Sequence, residues 1–269
     1  MKTNQASLCQ FFTPFWFAEA LVERYFPGLN KNDLVIEPSC GYGAFLAAIP
    51  QAVRAVGIEI DPLVAQVAHD QTGREIIVGD FRTVPLSVTP TAIIGNPPFV
   101  ASVFDTFLDR CHSLLPEGGR AGFILPTYFF QTASRVAGYA DRWSISHDLL
   151  PRNAFNSKMK TPLTFAVFSK DARRLMIGFF LYRETADLHR LAKPYREALS
   201  ATRGPIWKRV CEVALQRLGG DAKLSDIYAE LENNRPSRTD FWREKIRQTL
   251  RVYSDTFQPV EQGRYMLVA

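Results

Sequence analysis

Ile93-Ile94-Gly95-Asn96-Pro97-Pro98-Phe99-Val100 is the stretch on which the fold turns. The apolar pair Ile93-Ile94 reads as the end of a buried strand. It runs into a small amide, two prolines and an aromatic ring. Proline fixes φ and cannot donate to a sheet ladder, so the strand stops here. Beyond the strand lies a stiff corner with exposed carbonyls, an amide side chain on one side and a ring on the other. Such a corner suits a planar molecule held by one edge and one face. Asn-Pro is also an ordinary turn opener, and an aromatic after it can simply pack. The rest of the chain has to decide.

Upstream, three more short strands are predicted, each ending in a polar or glycine-bearing turn. Leu34-Val35-Ile36 ends in Glu37-Pro38-Ser39-Cys40-Gly41-Tyr42-Gly43-Ala44. A strand, a Gly-x-Gly turn and a new helix make the first βα turn of a nucleotide-binding unit. Glycines there let the backbone approach a ligand, although tight turns use Gly-x-Gly widely. The second strand, Ala55 to Ile60, carries Glu59 at its end, about twenty residues after the glycine turn. Doubly wound folds place a ribose-binding carboxylate there; a solvated strand end is the plainer account. Asp61-Pro62 opens a helix through about Gln71. The third strand, Glu75 to Val78, ends in Gly79-Asp80-Phe81, where Asp80 can accept from an adenine amino group and Phe81 can lie against the ring. Four strand ends in succession point to a ligand at the carboxyl edge of an open α/β sheet. Before them, Thr13-Pro14 precedes an amphipathic helix, Phe15 to Tyr25, and reads locally as its cap.

Downstream, a helix is expected over Phe104 to Leu115 and a fifth strand over Ala121 to Leu125. Two more strands are expected around Ser144–Leu150 and Leu163–Ser169. Between them Asn153-Ala154-Phe155-Asn156 falls near the ligand edge. A charged, helix-prone connector runs over residues 171–205. From Ile206 the periodicity gives three helices, Ile206–Leu218, Leu224–Leu231 and about Thr239 to Tyr253, then a hairpin over Phe257–Val260 and Arg264–Val268. The third helix carries Trp242, Ile246 and Leu250 on one face. Arg243, Arg247 and Arg251 lie on another, spaced i, i+4, i+8. Three helices and a hairpin are predicted to make a winged helix-turn-helix. An arginine stripe can also be only a solvated face.

The chain of 269 residues is long enough for one large domain and a smaller one. Apolar content of 46% and charged content of 22% are those of an ordinary globular protein. No apolar run of ~18 residues predicts a membrane span, and the N-terminus lacks a signal-peptide core. Four scattered cysteines and four scattered histidines predict reduced thiols and no metal site. The net charge of +5 fits a polyanion partner weakly.

The order Phe-x-Thr-Pro, Glu-Pro-x-Cys-Gly-x-Gly-x-Phe, Gly-Ile-Glu-Ile-Asp, Gly-Asp-Phe, Asn-Pro-Pro-Phe resembles the γ-group of S-adenosylmethionine (SAM)-dependent DNA adenine-N6 methyltransferases. The match covers about residues 11 to 170. It implies a Rossmann-like class I methyltransferase sheet with helices on both faces. It also implies that Thr13, Glu37, Ser39, Gly41, Gly43, Glu59, Ile60, Asp80, Phe81, Asn96 and Phe107 surround SAM. Asn96, Pro97, Pro98 and Phe99 would be catalytic, with Phe99 and Phe155 stacking on a flipped adenine. The short C-terminal region is similar to the winged-helix tail of phage- or prophage-type orphan enzymes. Arg238, Arg243, Lys245, Arg247 and Arg251 would then meet double-stranded DNA. The resulting expectation is a catalytic domain over 1–170, a helical basic connector over 171–205 and a recognition domain over 206–269. The protein would be cytoplasmic, nucleoid-associated when bound, and a monomer or dimer. Rival readings are methylation of an RNA base or a protein glutamine, and a DNA-binding regulator with an inactive methyltransferase domain.

Overall fold

Strand β1 (Leu34–Glu37), β2 (Arg54–Glu59), β3 (Glu75–Val78) and β4 (Ala92–Gly95) form where the sequence turns apolar and β-branched, and each stops at a polar or glycine turn. The computed structural model describes residues 12–151, 161–179, 182–200, 205–237 and 239–268. Helix α1 (Phe15–Tyr25) precedes β1, α2 (Ala44–Ala48) and α3 (Pro62–Thr72) follow β1 and β2, β3 leads to β4 without a helix, and α4 (Ala101–Leu114) follows β4. Next come β5 (Arg120–Pro126), a 3-10 turn (Thr127–Phe130), α5 (Ala133–Ala140), β6 (Ser144–Leu150), β7 (Leu163–Ser169) and β8 (Met176–Ile177). The chain divides into two compact units, Met1–Phe180 and Leu181–Ala269.

In the first unit the sheet order is β3-β2-β1-β4-β5-β7-β6-β8. The five strands from β3 to β5 are parallel, with Val35 opposite Ala92 and Ile94 opposite Gly122. β7 runs antiparallel between β5 and β6. Because side chains alternate across a strand, the two faces carry separate packing. Val35, Ile94, Ile124, Phe165 and Val167 pack with Phe17, Leu21 and Val22 of α1 and with Phe45 and Leu46 of α2. From the alternate positions, Phe123 and Phe168 meet Phe104 of α4, with ring centroids 5.5 and 5.9 Å apart. Helices therefore cover both faces. Removing a ring such as Phe165, fully buried, costs about 3–5 kcal/mol.

Helix α3 is capped at both ends. The Asp61 carboxylate accepts from the Leu63 and Val64 amides and starts α3, with Gly73 in the left-handed region at its end. Helix α4 begins at Ala101 and not at Phe104 as periodicity suggested, because the Pro97-Pro98-Phe99 corner delivers the chain straight into it. Thr13 does not cap α1. Pro14 takes the N-cap position, with no side-chain cap bond.

The second unit holds α6 (Tyr182–Arg190), α7 (Lys193–Ser200), α8 (Ile206–Arg217), β9 (Asp221–Lys223), α9 (Leu224–Leu231), α10 (Trp242–Val252), β10 (Phe257–Glu261) and β11 (Arg264–Leu267). The expected connector over 171–205 is split at the unit boundary. Its helices α6 and α7 pack with α8, and Tyr195 is fully buried among Val210, Cys211 and Leu231. The Tyr195 hydroxyl donates to Glu230, which also accepts from Arg217. The hairpin gains a third strand: β9 pairs antiparallel with β11, giving the order β10-β11-β9. Among the described residues no helix is long and apolar enough to cross a membrane.

Candidate functional site

The carboxyl ends of β1, β2, β3 and β4 surround a cavity of about 260 Å³ in the first unit. Of the residues expected around a cofactor, Ser39, Gly41, Glu59, Ile60, Asp80, Phe81, Asn96 and Phe107 line it, as do Pro97, Pro98 and Phe99. Thr13 and Glu37 line a smaller recess of about 30 Å³ beside it, which shares Ser39, Gly41 and Asn96. Gly43 lines neither; it sits at the N-cap of α2 with φ of 83°. A Cβ there would come within 2.7 Å of Thr72 Cγ2, so this glycine serves turn geometry. Phe155 and Arg238 lie outside the described residues.

Two buried carboxylates organise the glycine turn. Glu59, 4% exposed, accepts from the Gly41 amide at 2.9 Å and from the Asp61 amide at 3.1 Å. It ties the first βα turn to the end of β2 and still has acceptor positions left. Glu37 accepts from the Leu46 amide in the first turn of α2, where the helix end favours a negative group. Burial pushes its carboxyl well above the usual carboxylate range, and the nearby Glu59 adds to the rise. Gly41 adopts φ of +52°, and a Cβ there would meet the Phe12 ring at 3.1 Å. That ring stacks on Tyr42 with centroids 4.0 Å apart. Burial likewise raises the thiol pKa of Cys40, which is therefore a neutral packing group.

The β4 corner is braced from two sides. Asn96 Nδ2 donates to Thr13 Oγ1 at 3.2 Å, and Ser39 Oγ donates to the Asn96 main-chain carbonyl at 3.2 Å. The threonine beside Pro14 is thus an orienting partner for the amide. Pro97 is buried and the Phe99 ring is half-buried.

Asp80 departs from its simple expectation. Its two oxygens accept from Arg82 Nε, Nη2 and the Arg82 amide at 2.6–3.0 Å. The Arg82 side-chain bonds hold its carboxyl below the usual range, against the opposing effect of burial. An amino group arriving at Asp80 competes with this clamp. Phe81, buried, packs on Phe107 with centroids 5.0 Å apart, so the two rings form one apolar wall. Sequence reasoning missed Phe12, Arg82 and Val103 as lining residues. Their only signals were nearness to Thr13 and Asp80, and one helical turn from Phe99.

On α10 of the second unit, Arg243, Lys245, Arg247 and Arg251 are exposed, whereas Trp242, Ile246 and Leu250 are buried. Arg243 lies over the Trp242 and Tyr228 rings at 5.0 and 5.6 Å. Arg247 pairs with Glu244.

No family model matches the chain. Type II methyltransferase M.CvrRI of Paramecium bursaria Chlorella virus XZ-6E is 37% identical over 92 residues, 33% of this chain and 24% of that protein. The tRNA (guanine(10)-N2)-dimethyltransferase of Methanothermobacter thermautotrophicus is 30% identical over 118 residues, 38% of this chain and 35% of that protein. Type II methyltransferase M.XhoI of Xanthomonas vasicola is 26% identical over 196 residues, 61% of this chain and 34% of that protein. The chain thus spans about a quarter to a third of the length of these curated relatives. A Listeria monocytogenes protein provisionally assigned to the class I S-adenosylmethionine-dependent methyltransferases superposes with a TM-score of 0.51 at 18% identity, over 60% of this chain and 62% of that one. The first unit has the Rossmann-like class I methyltransferase fold.

Proposed function

We propose that the protein transfers a methyl group from SAM to the N6 amino group of an adenine flipped out of double-stranded DNA. The observation that carries this reading is that Asn96, Pro97 and Phe99 line the same cavity as Glu59 and Asp80. A base-holding corner therefore opens onto a nucleoside-sized site.

The residues present fit SAM. Glu59 has acceptor capacity for ribose hydroxyls, Ile60 and the Phe81–Phe107 wall offer apolar cover for an adenine, and Asp80 can accept its amino group once Arg82 yields. Glu37, beside the recess, would face a cationic amine. When bound, SAM supplies an electrophilic methyl group on a sulfonium. The Thr13 hydroxyl holds the amide nitrogen of Asn96 and so orients its oxygen as acceptor toward the target. Hydrogen bonds from the target amine to that oxygen and to the Pro97 carbonyl draw the nitrogen lone pair out of ring conjugation. Held by Glu59 and the Phe81–Phe107 wall, SAM would supply its methyl group to that nitrogen, with the thioether as leaving group, and the methylated ammonium would lose its proton to water. Alignment supplies much of the remaining acceleration. A paired adenine must leave the stack, at a few kcal/mol. Stacking on Phe99 offsets ~1–3 kcal/mol of that.

In this reading the second unit is a winged helix. Its element order and the exposed cations of α10 support the proposal, as does the likeness to type II methyltransferases. The likeness to a tRNA guanine-N2 methyltransferase favours a second reading, an exocyclic amine of an RNA base. Incubation with methyl-labelled SAM and DNA, RNA or ribosomal protein separates them. Label recovered as N6-methyladenine in duplex DNA is the expected result. Label in RNA or in glutamine replaces the substrate, and binding of SAM without transfer to any of the three leaves only a regulator.

A further inference from the structure

The β4 corner has a support on the neighbouring strand. The 3-10 turn at the end of β5 places Phe129 and Phe130 inside, 0% and 4% exposed, and Phe129 packs on Phe104 of α4 with centroids 5.5 Å apart. Tyr128 stands outward from this buried platform, 43% exposed. Its hydroxyl donates to the main-chain carbonyl of Phe99 at 2.8 Å. Around the same residue, the Val100 amide donates to the Pro98 carbonyl at 2.8 Å.

Pro97 and Pro98 fix their own φ angles but not that of Phe99. Phe99 is therefore the first residue of the corner whose φ no ring fixes, and its carbonyl is the group that swings with its ψ. We infer that Tyr128 is a positioning residue for methyl transfer: its hydroxyl locks the Phe99 peptide, so that the Phe99 ring keeps the pose on which the target base stacks. This rests on the proposed transfer to a nucleic-acid base. Tyr128 is not among the residues lining the cavity; its bond reaches Phe99, the residue assigned to the base and not to the cofactor. The buried rings beside it make the turn rigid enough to transmit that constraint.

The test is Tyr128→Phe in the full chain, which removes one oxygen from an exposed position and leaves the ring. The wild type first defines a DNA duplex that it methylates. On that duplex kcat should fall about threefold to tenfold, the range a single neutral hydrogen bond supports. KM for DNA, the SAM dissociation constant and Tm should stay within about twofold or a few degrees. With 2-aminopurine at the methylated position, emission from the variant complex should be brighter, because the flipped base loses a fixed stacking partner. Tyr128→Ala should show the same split with a larger fall in kcat. Unchanged kcat and emission overturn the inference. So does a parallel loss of SAM affinity, Tm and kcat, which would make the tyrosine a prop of the fold. A wild type that binds SAM but methylates no nucleic acid overturns the proposed function and this inference with it, and that is seen before any variant is measured.

Discussion

The side chains of Glu37, Glu59 and Asn96 in the first unit and the cations of α10 in the second are built in opposite ways. Glu37 and Glu59 are buried, and each accepts a backbone amide. Asn96 is half-buried and held by Thr13. Arg243, Lys245, Arg247 and Arg251 are all exposed, with one in an ion pair and one over aromatic rings. Buried groups act one at a time, because removing one leaves its partner stranded. Exposed charges act as a sum that salt screens. Single substitutions should therefore be severe in the first region and graded in the second.

Asn96→Ala tests the severe end. Loss of a preorganised hydrogen bond of this kind costs about 2.7–4 kcal/mol, so methyl transfer should drop by at least a hundredfold while SAM affinity changes only a fewfold. Wild-type turnover in a steady-state assay would remove Asn96 from the chemistry.

Glu59→Ala should raise the SAM dissociation constant at least tenfold by calorimetry, since hydrogen bonds to a charged group contribute about 1.5–3 kcal/mol. The variant also strands the Gly41 amide, so Glu59→Gln should fall between it and the wild type. An unchanged constant in both would move the cofactor away from β2.

In the graded region, neutralising Arg243, Arg247 and Arg251 together should weaken DNA binding. The slope of log K against log salt should shrink by up to ~0.9 for each phosphate that is no longer neutralised. SAM affinity should be untouched. Arg251→Gln should cost more affinity than Arg247→Gln, because Glu244 already shares the Arg247 charge. Equal effects, or none, would make the stripe a solvated face.

The smallest effect is on stability. Burial raises the folded-state pKa of Glu37 above the ordinary 4.5. Its contribution to stability is therefore complete below that unfolded value and is lost as pH rises through the folded one. Glu37→Gln keeps an acceptor for the Leu46 amide and removes the charge. Its Tm should exceed that of the wild type at neutral and alkaline pH, with the gap closing as pH approaches 4.5. A constant gap across that range would mean the carboxyl does not titrate differently on folding.

Legibility in the sequence followed the range of each interaction. Strands β1 to β4, their terminal turns and the α3 cap were readable because apolar runs and Gly, Pro, Asp and Asn act within a few residues. The limits of α1, α9, β6 and β7 were readable for the same reason. Thr13 was ambiguous, since its local sequence is that of a cap and its partner Asn96 is 83 residues away. Tyr128 was invisible because its bond to Phe99 spans 29 residues and leaves no local pattern. The strand Asp221-Ala222-Lys223 is too short and polar to announce itself; only pairing with β11 makes it one. Helix α5 includes Gly138, which masks its period, and the packing of α6 and α7 on α8 depends on Tyr195 finding a distant core.

The position of β7 sets when the first unit can finish folding. It is the last long strand of that unit, yet it lies inside the sheet, paired along its whole length with β5 on one side and β6 on the other. Until Ser169 is available, β5 keeps an open edge, β6 has no neighbour on that side, and the aromatic packing of Phe165 and Phe168 is missing. Such long-range closure is slow compared with local helix formation. Synthesis therefore delivers every strand of the parallel half, which ends at Pro126, before β7, the strand that closes the sheet and completes its core.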